Sequence, residues 1–308
     1  MNNEQLIAIL LCTYNGSKYL REQLDSFISQ THKNWVVYAS DDGSTDGTLE
    51  ILHNYQQTLG NRLIILQGPR QGFARNFLSL IQHQAVLGDY FAFSDQDDIW
   101  MTDKLARGLT ALQSQNHEVA ALYCSRTELI DAEGTPLGFS PLFSKPPSFR
   151  NALVQSLAGA NTMMINQKTR VLLAATPADA RIVAHDWLAY LIVSSYQGTI
   201  IYDPKPTLLY RQHGNNLIGS NTGIRHTLTR LTHTLRGRFS EWNEMNLNVL
   251  LLQKDRLPQQ SQRVLEQFEL ARRSPLFKRI RLLIKAQVHR QTLAGNLSLA
   301  AAAILNKL

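Results

Sequence analysis

Short apolar runs alternate with segments of helical periodicity through the first half of the chain. Runs of five to eight apolar residues predict buried strands over residues 6–13, 35–40, 62–67, 90–94 and 119–124. Between them, apolar residues recur every three or four positions and predict helices over residues 17–30, 48–57, 73–84 and 102–115. This alternation predicts an α/β fold, with a mostly parallel sheet covered by helices on both faces. Ligands of such sheets bind at the carboxyl ends of the strands.

The second half of the chain has a different pattern. Residues 163–165 predict another strand and residues 188–193 predict a helix packed on the sheet. Beyond residue 221, helices are predicted over 222–252, 259–273 and 275–293, with Pro258 and Pro275 at their boundaries. We therefore predict two regions, a domain over residues 1–221 and a helical C-terminal region over residues 222–308.

Composition is that of a globular protein with a substantial core, with 44% hydrophobic and 18% charged residues in 308. Cys12 and Cys124 lie within apolar runs, which favours buried thiols in a reducing compartment over a disulfide. The amino end has no basic segment before its first apolar run, so that run predicts a strand and not a secretion signal. No apolar stretch reaches the ~20 residues that a membrane span needs. We expect a cytoplasmic protein.

The net charge of +7 is concentrated in the C-terminal region. Residues 225–308 contain 15 Lys and Arg against 5 Asp and Glu, a balance of +10, which leaves 16 against 19, or −3, for residues 1–224. Apolar and basic residues alternate at helical spacing between residues 276 and 290. One interpretation is a helical bundle with a solvated basic face. The other is peripheral contact with an anionic surface, such as the cytoplasmic face of the inner membrane, where each Lys or Arg contributes ~1 kcal/mol.

Three carboxylates, Asp95, Asp97 and Asp98, follow the fourth predicted strand. Uncompensated charges at the end of a buried strand are costly, and a divalent cation such as Mg²⁺ or Mn²⁺ would compensate them. A local alternative is an acidic turn that caps the helix predicted to begin near Met101, with Asp98 or Thr102 as the cap.

Polar residues also follow the earlier strands. Small and turn-forming residues after the first strand, at positions 12–17, leave backbone N–H groups and the ring of Tyr14 available for a ligand. Asp41 and Asp42 follow the second strand; turn formation explains part of this segment, but a carboxylate here is also placed to accept hydrogen bonds from a base or ribose. After the third strand, Arg75 has two open interpretations, a contact with a phosphate or base edge and a structural ion pair with one of these aspartates.

Four motifs in this order resemble family 2 glycosyltransferases of the GT-A fold: TYNG, DDGSTD, GFARN and SDQDDIW. The resemblance covers residues 6–216 and is strongest to the bacterial rhamnosyltransferase-like members that build surface polysaccharides. It implies a Rossmann-like, mostly parallel sheet and an inverting, metal-dependent hexosyltransferase. The implied cofactor is Mn²⁺ or Mg²⁺ on the diphosphate of a nucleotide-sugar donor.

Carried over by position, the resemblance also implies the site residues. The implied nucleotide-binding residues are Thr13, Tyr14, Asn15, Asp41, Asp42, Arg75 and Asp95. The implied metal ligands are Asp97 and His213, with Asp95 in contact with the ribose or the metal. Contacts with the acceptor or the phosphates are expected from His185, Trp187, Arg211 and Trp100.

Asp186 matches the catalytic base of the family. An acceptor hydroxyl is a poor nucleophile, and partial removal of its proton contributes on the order of 10²–10⁴ in rate. From the local sequence alone Asp186 is also explained as the cap of the helix that follows it. His185 either influences the Asp186 carboxylate or only packs against neighbouring side chains.

The resulting hypothesis is transfer of one sugar, with dTDP-rhamnose as the favoured donor and UDP-galactose, UDP-glucose or UDP-N-acetylhexosamine as alternatives. The acceptor is expected to be a glycan or a lipid-linked saccharide in bacterial O-antigen or capsule synthesis. The Gln-x-x-Arg-Trp signature of processive members is absent, which favours one addition per encounter. Two rival classes are a metal-dependent phosphohydrolase and a nucleic-acid-binding protein. The C-terminal region has few aromatic residues for stacking and no recognised motif, so no nucleic-acid partner is expected.

Overall fold

A computed structural model describes residues 5–213 and 238–308. In chain order the strands are β1 (Ile7–Thr13), β2 (Trp35–Asp41), β3 (Leu63–Gln67), β4 (Tyr90–Ser94), β5 (Ile99–Trp100), β6 (Ala121–Ser125), β7 (Glu128–Ile130), β8 (Pro136–Phe139), β9 (Met164–Asn166), β10 (Thr199–Asp203) and β11 (Leu208–Arg211). The helices are α1 (Leu20–Ile28), α2 (Thr48–Leu59), α3 (Phe73–Gln82), α4 (Lys104–Gln113), α5 (Phe149–Ala152), α6 (Gln167–Ala174), α7 (His185–Ser195), α8 (Arg238–Leu251), α9 (Gln259–Arg272), α10 (Leu276–Ala286) and α11 (Leu293–Ile304).

The main sheet of the described chain has seven strands in the order β10-β6-β9-β4-β1-β2-β3. Strand β1 is parallel to both of its neighbours, β2 and β4, and only β9 runs antiparallel to the strands beside it. The predicted α/β fold with a mostly parallel sheet is confirmed. Thr13 pairs in register with Asp41, so the polar ends of β1 and β2 meet at one edge of the sheet.

The core lies on both faces of this sheet because every residue of β1 and β2 is buried. Alternate residues of β1 enter different clusters: Ala8 and Leu10 face one side, and Ile9 and Leu11 face the other. Burial on both faces is the reason that these strands read as continuous apolar runs. Both cysteines are buried free thiols.

A smaller sheet, in the order β5-β11-β7-β8, brings distant parts of the chain together. Strand β5 begins directly after the acidic loop at residues 95–98 and pairs antiparallel with β11, Leu208 opposite Trp100. Strand β11 ends at Arg211, so this pairing returns the following residues of the chain to the acidic loop. The sequence analysis did not predict β5, β7, β8 or β11 as members of a second sheet.

The described part of the C-terminal region packs into the same core as the α/β domain. Buried residues of α8–α11 belong to the cluster on the α3 and α7 side of the main sheet, among them Phe239, Leu265, Phe268, Leu283 and Leu299. The helix predicted over 275–293 is wrong in its extent, because α10 ends at Ala286 and Gln287 adopts a left-handed conformation with φ 54°. Residues 222–237 of another predicted helix, and the predicted boundary after residue 221, lie outside the described residues. No helix in the described ranges is long and apolar enough to span a membrane.

Candidate active site

Asp41 closes the turn that follows β2. Its Oδ1 accepts a hydrogen bond from Thr13 Oγ1 at 2.9 Å, which joins the ends of the two central strands. Its Oδ2 accepts from the backbone N–H groups of Gly43 at 3.1 Å and Ser44 at 2.8 Å. Because Asp41 and Thr13 are buried, this network fixes the edge of the sheet. Turn formation therefore explains this carboxylate locally, and its contact with a nucleotide remains a prediction.

Asp42 fixes the loop that leads into α3. Its two carboxylate oxygens accept from the N–H groups of Arg70, at 2.6 Å, and Gly72, at 2.8 Å. Gly72 has φ +86°, a conformation that suits glycine, and it directly precedes the helix. Arg75 lies in the first turn of α3, and within residues 5–213 and 238–308 no ion pair joins it to Asp41 or Asp42. The structural alternative for Arg75 is therefore wrong.

Gln96 joins the loop after β1 to the acidic loop, a role that sequence reasoning missed. Its Oε1 accepts from Tyr14 N at 2.8 Å, and its Nε2 donates to Tyr14 O at 3.0 Å. The Tyr14 side chain is 59% exposed beside this bridge. Asn15, in a left-handed conformation with φ 48°, accepts at Oδ1 from Thr45 N at 2.8 Å and so ties the first loop to the second. The bridging amides leave the Tyr14 ring available for stacking.

The acidic loop and the segment after β11 meet at Asp97 and His213. His213 Nε2 lies 2.8 Å from Asp97 Oδ2, although the residues are 116 positions apart in the chain. The imidazole also stacks on Tyr19, with 5.1 Å between ring centroids. The two predicted metal ligands are therefore adjacent, and the β5–β11 pairing is what brings them together.

Asp97 and His213 have ligand atoms and a separation that suit a divalent cation. Ligands at adjacent corners of an octahedron with bonds of about 2.1 Å are about 3 Å apart, close to the Asp97–His213 separation. Carboxylate oxygen suits Mn²⁺ and Mg²⁺, and neutral imidazole is the commonest nitrogen ligand of metals in proteins. Among the described residues no group of three or more His, Cys, Asp or Glu side chains forms a complete metal cage. A metal held here would therefore take further ligands from a substrate or water.

Asp95 and Asp186 belong to the same electrostatic cluster. Burial, then the charges of Asp97 and Asp186, raise the pKa of Asp95 to about 7. Burial also raises the pKa of Asp186 to about 6, although hydrogen bonds oppose the shift. Those hydrogen bonds come from Trp187 N to Oδ1 at 2.7 Å and from Ser156 Oγ to Oδ2 at 3.3 Å. Asp186 thus lies close enough to the acidic loop for the two carboxylates to influence each other.

The structure does not support Asp186 as a helix cap. Helix α7 begins at His185 with Ala184 at the cap position, and no side chain caps it. Asp186 lies in the first turn, where the positive end of the helix dipole stabilises a carboxylate. Its ionised form is therefore aided by the helix while the buried surroundings oppose ionisation.

Asp98 supports the acidic loop from inside. It is fully buried, and its oxygens accept from Asn161 Nδ2 at 2.6 Å and from Arg211 N at 3.2 Å. Burial and the neighbouring Asp97 raise its pKa well above the usual range. Helix α4 begins only at Lys104, without a side-chain cap, so the expectation that Asp98 or Thr102 caps it is wrong.

Lys104 extends this buried network. Its Nζ donates to Asn161 O at 2.7 Å and lies 4.6 Å from the centroid of the Trp100 ring. Burial lowers the pKa of Lys104 to about 7. Sequence reasoning assigned Lys104 to a helix and gave it no role, because no local pattern marks a lysine that faces inwards.

Arg211 is a structural residue, which corrects the expected phosphate contact. Its side chain is 2% exposed, and its three nitrogens donate to Asp97 O at 3.1 Å, Ala132 O at 3.0 Å and Glu22 Oε2 at 2.7 Å. The guanidinium is thus used to hold the peptide of Asp97 in place.

His185, Trp187 and Trp100 are all buried in packing contacts, and for His185 this is the packing alternative that the sequence left open. The His185 ring stacks on Phe77 with 3.8 Å between centroids, and burial lowers its pKa to about 3. Trp187 Nε1 donates to Ala152 O at 2.6 Å. Trp100 packs edge-on against Phe27. The structure thus gives these three side chains packing roles, and their contact with an acceptor or the phosphates stays a prediction.

Comparison with known proteins agrees with this fold. The family model described as Glycosyl transferase family 2 matches residues 8–162, half of the chain. The dTDP-rhamnosyl transferase RfbG of Shigella flexneri is 32% identical over 232 residues, which covers 72% of this chain and 78% of that protein. The putative teichuronic acid biosynthesis glycosyltransferase TuaG of Bacillus subtilis is 27% identical over 71% of this chain and 84% of its own length.

Solved structures share the fold. Staphylococcus aureus TarS 1-349 in complex with UDP-GlcNAc aligns over 98% of this chain and 88% of its own, with TM-score 0.55 and 15% identity. The mannosyltransferase PcManGT of Pyrobaculum calidifontis, in complex with GDP-Man and Mn²⁺, aligns over 99% of this chain and 86% of its own, with TM-score 0.51 and 15% identity.

The fold is therefore that of a GT-A glycosyltransferase, and the predicted C-terminal helices are present. The chain belongs to glycosyl transferase family 2. It is a glycosyltransferase enzyme similar to a bacterial dTDP-rhamnosyl transferase, so the predicted family and enzyme class are confirmed.

Proposed function

We propose that the protein transfers one rhamnosyl residue from dTDP-rhamnose to a glycan or lipid-linked saccharide, with inversion at the anomeric carbon. The acceptor belongs to the synthesis of a bacterial surface polysaccharide, an O-antigen or a capsule, on the cytoplasmic side of the membrane. The main support for this function is the electrostatic cluster of Asp186, Asp95 and Asp97, in which His213 lies 2.8 Å from Asp97. The similarity to the S. flexneri rhamnosyl transferase supports the choice of sugar.

The nucleotide lies across the ends of β1 and β2. Tyr14, whose ring is exposed, stacks on the base. Thr13, Asn15, Asp41 and Asp42 form the floor of this position. Thr13, Asn15 and Asp41 join the loops after β1 and β2, and Asp42 joins the second loop to the loop before α3. Each oxygen of Asp42 accepts one hydrogen bond and so keeps acceptor capacity for a base N–H or a ribose hydroxyl, whereas each oxygen of Asp41 already accepts two.

The diphosphate lies next to the acidic loop. Asp97 and His213 would hold Mn²⁺ or Mg²⁺, with Asp95 beside them, and the bound ion supplies positive charge that offsets the charge developing on the leaving group. Arg75, in the first turn of α3, is the cation assigned to the phosphates. Arg211 fixes the Asp97 peptide and so keeps its carboxylate directed at the site.

Asp186 is the base. With a pKa of about 6 the carboxylate is mostly ionised at neutral pH, yet it is basic enough to accept a proton from the acceptor hydroxyl as that oxygen attacks C1 of the sugar. Ser156 Oγ, 3.3 Å from Oδ2, orients the carboxylate. The bond from sugar to phosphate breaks as the new glycosidic bond forms, so nucleoside diphosphate leaves.

A donor panel tests this function. Purified protein with Mn²⁺ is given dTDP-rhamnose, UDP-galactose, UDP-glucose or UDP-N-acetylhexosamine, and thermal stabilisation and nucleotide release are measured with and without acceptor glycans. The proposal expects dTDP-rhamnose to stabilise the protein most, since a ligand that binds only the folded form must raise its melting temperature. Asp186→Asn should bind the donor without transferring it, and the exposed Asp179→Asn serves as control.

Three outcomes would contradict parts of the proposal. Preference for a UDP-sugar would overturn the sugar assignment and leave the enzyme class intact. Release of sugar phosphate at the same rate without acceptor would favour a phosphohydrolase. Near-normal transfer by Asp186→Asn would remove Asp186 as the base.

A further inference from the structure

Helix α10 exposes an apolar strip that the protein leaves uncovered. Phe277 is 90% exposed and Ile284 71%, and both lie on the side opposite the buried Leu283 and Ala286. Leu276 and Ile280 are at the spacing that places them beside Ile284 on the same face. Such exposure of a large aromatic side chain together with its apolar neighbours marks an interaction surface.

Helix α11 continues this surface. Its exposed apolar residues Leu293, Leu297 and Ile304 recur at intervals of four and seven, which places them on one helical face. Ile304 lines the same shallow apolar groove as Phe277 and Ile284. The two helices are held together from within, because the buried Arg279 donates to Ala303 O at 2.6 Å. We call the exposed faces of α10 and α11 together the C-terminal apolar face.

Positive charge borders the C-terminal apolar face. Lys278, Arg281 and Lys285 are exposed on α10, on the side of Phe277 away from Ile280. Residues 270–308 contain no Asp or Glu, whereas they contain Arg272, Arg273, Lys278, Arg279, Arg281, Lys285, Arg290 and Lys307. The surface is therefore apolar along one strip and purely basic beside it.

We propose that the C-terminal apolar face docks on an anionic lipid surface. Apolar side chains insert at the boundary of headgroups and acyl chains, while Lys and Arg beside them contact anionic headgroups, as in other interfacial amphipathic helices. A second copy of the chain fits less well, because symmetric pairing of this face would place Lys278, Arg281 and Lys285 against their own copies with no acidic residue from α10 or α11 to offset them. The anionic lipid supplies the negative charge that the face lacks.

The docking face is fixed relative to the candidate active site. Directly after α10, His289 O accepts from Asn151 Nδ2 at 2.9 Å, and Arg290 Nε donates to Val154 O at 3.1 Å. Two residues beyond Val154, Ser156 donates to the proposed base Asp186. A lipid surface under α10 and α11 would therefore be held at a constant orientation to the site, as suits an acceptor carried on a membrane lipid. Docking itself does not depend on which sugar is transferred.

Vesicle flotation of the full chain tests the proposal. Vesicles of phosphatidylcholine alone and of phosphatidylcholine with phosphatidylglycerol are compared at low and high salt. We expect flotation with the anionic vesicles at low salt and its loss at high salt. Phe277→Ser with Ile284→Ser should lower the partition coefficient at least about tenfold, and neutralising Lys278, Arg281 or Lys285 to Gln should lower it about fivefold for each residue.

Matched controls separate docking from general surface properties. Leu87→Ser with Leu252→Ser removes two other exposed apolar side chains. The single variants Lys33→Gln, Lys168→Gln and Arg263→Gln each remove one exposed cation elsewhere, as each α10 charge variant does. The controls should float like the wild type, and all variants should keep the wild-type melting temperature and donor binding. Absence of flotation with anionic vesicles at low salt overturns the proposal. Flotation of the α10 variants equal to that of the wild type also overturns it. So does a wild-type dimer in solution that Phe277→Ser with Ile284→Ser dissociates.

Discussion

Replacing the proposed base with asparagine should slow transfer strongly and at the same time stabilise the protein. Burial raises the pKa of Asp186 from 3.8 to about 6, so the folded state holds this carboxylate in its charged form at a cost. A shift of about two units corresponds to about 3 kcal/mol above pH 6. Asp186→Asn removes that cost and keeps the geometry, since its amide oxygen still accepts from Trp187 N and its amide nitrogen donates to Ser156 Oγ.

The pH dependence of this stabilisation has a definite sign. A carboxyl group with a raised pKa in the folded state costs stability when it ionises, fully above the folded pKa of about 6 and not at all below the unfolded value of 3.8. The gain from Asp186→Asn should therefore fall from about 3 kcal/mol at pH 7.5 to roughly half of that at pH 5, and to less than about 1 kcal/mol at pH 4. His185, whose pKa burial lowers to about 3, destabilises wild type and variant alike in acid and cancels in the difference.

Urea denaturation of both proteins across this pH range measures the effect, with the exposed Asp179→Asn as a control that should change little. Transfer should fall by on the order of 10²–10⁴ in the same variant, with donor binding retained. An Asn variant that is no more stable than the wild type at neutral pH would refute the idea of a buried charged carboxylate. Unchanged transfer would refute its role as the base.

Four further substitutions test other parts of the site. Asp97→Ala should abolish the Mn²⁺ dependence of donor binding, measured by calorimetry; an unaltered metal response would place the ion elsewhere. Arg211→Ala should destabilise the protein by about 3 kcal/mol in urea, because it removes a buried side chain and leaves Glu22 and the part-buried carbonyls of Asp97 and Ala132 without their donor. A change below about 1 kcal/mol, the size of a surface effect, would contradict this. Tyr14→Ala should weaken nucleotide binding about tenfold with stability unchanged, and equal affinity would exclude stacking. Gly68→Ala should lower both stability and donor affinity, because a Cβ there would lie 2.8 Å from Asp41 O and 2.9 Å from Asp42 Oδ1; a wild-type melting curve would speak against that crowding.

The central sheet was predictable because a strand buried on both faces has a continuous apolar sequence. Strands β1, β2 and β4 consist of apolar runs that end in polar residues, so both the strands and the side of the sheet that carries the site follow from local pattern. The strands of the second sheet have no such local pattern. Strand β5 has two residues and β7 three, and their pairing is fixed by partners far along the chain. Short edge pairings of this kind depend on tertiary contacts that a local pattern does not encode.

The candidate site likewise has residues that the sequence predicted and residues that it did not. Asp97 and His213 were paired through family resemblance, because a separation of 116 residues gives no local signal. The buried network of Asp98, Asn161 and Lys104 was missed, since charged residues are expected at the surface and only a folded core shows which of them are paired inside. His185 follows the packing alternative that the sequence left open: α7 is buried almost all round, so this polar residue at its start packs against phenylalanine.

Anomalous diffraction from a crystal grown with Mn²⁺ and dTDP-rhamnose is the most direct test of the central claim. The account predicts a manganese peak bonded to Asp97 and His213, with the diphosphate on its open side and Asp186 facing the anomeric carbon. A peak bound at other residues, or a donor whose anomeric carbon lies away from Asp186, would contradict it.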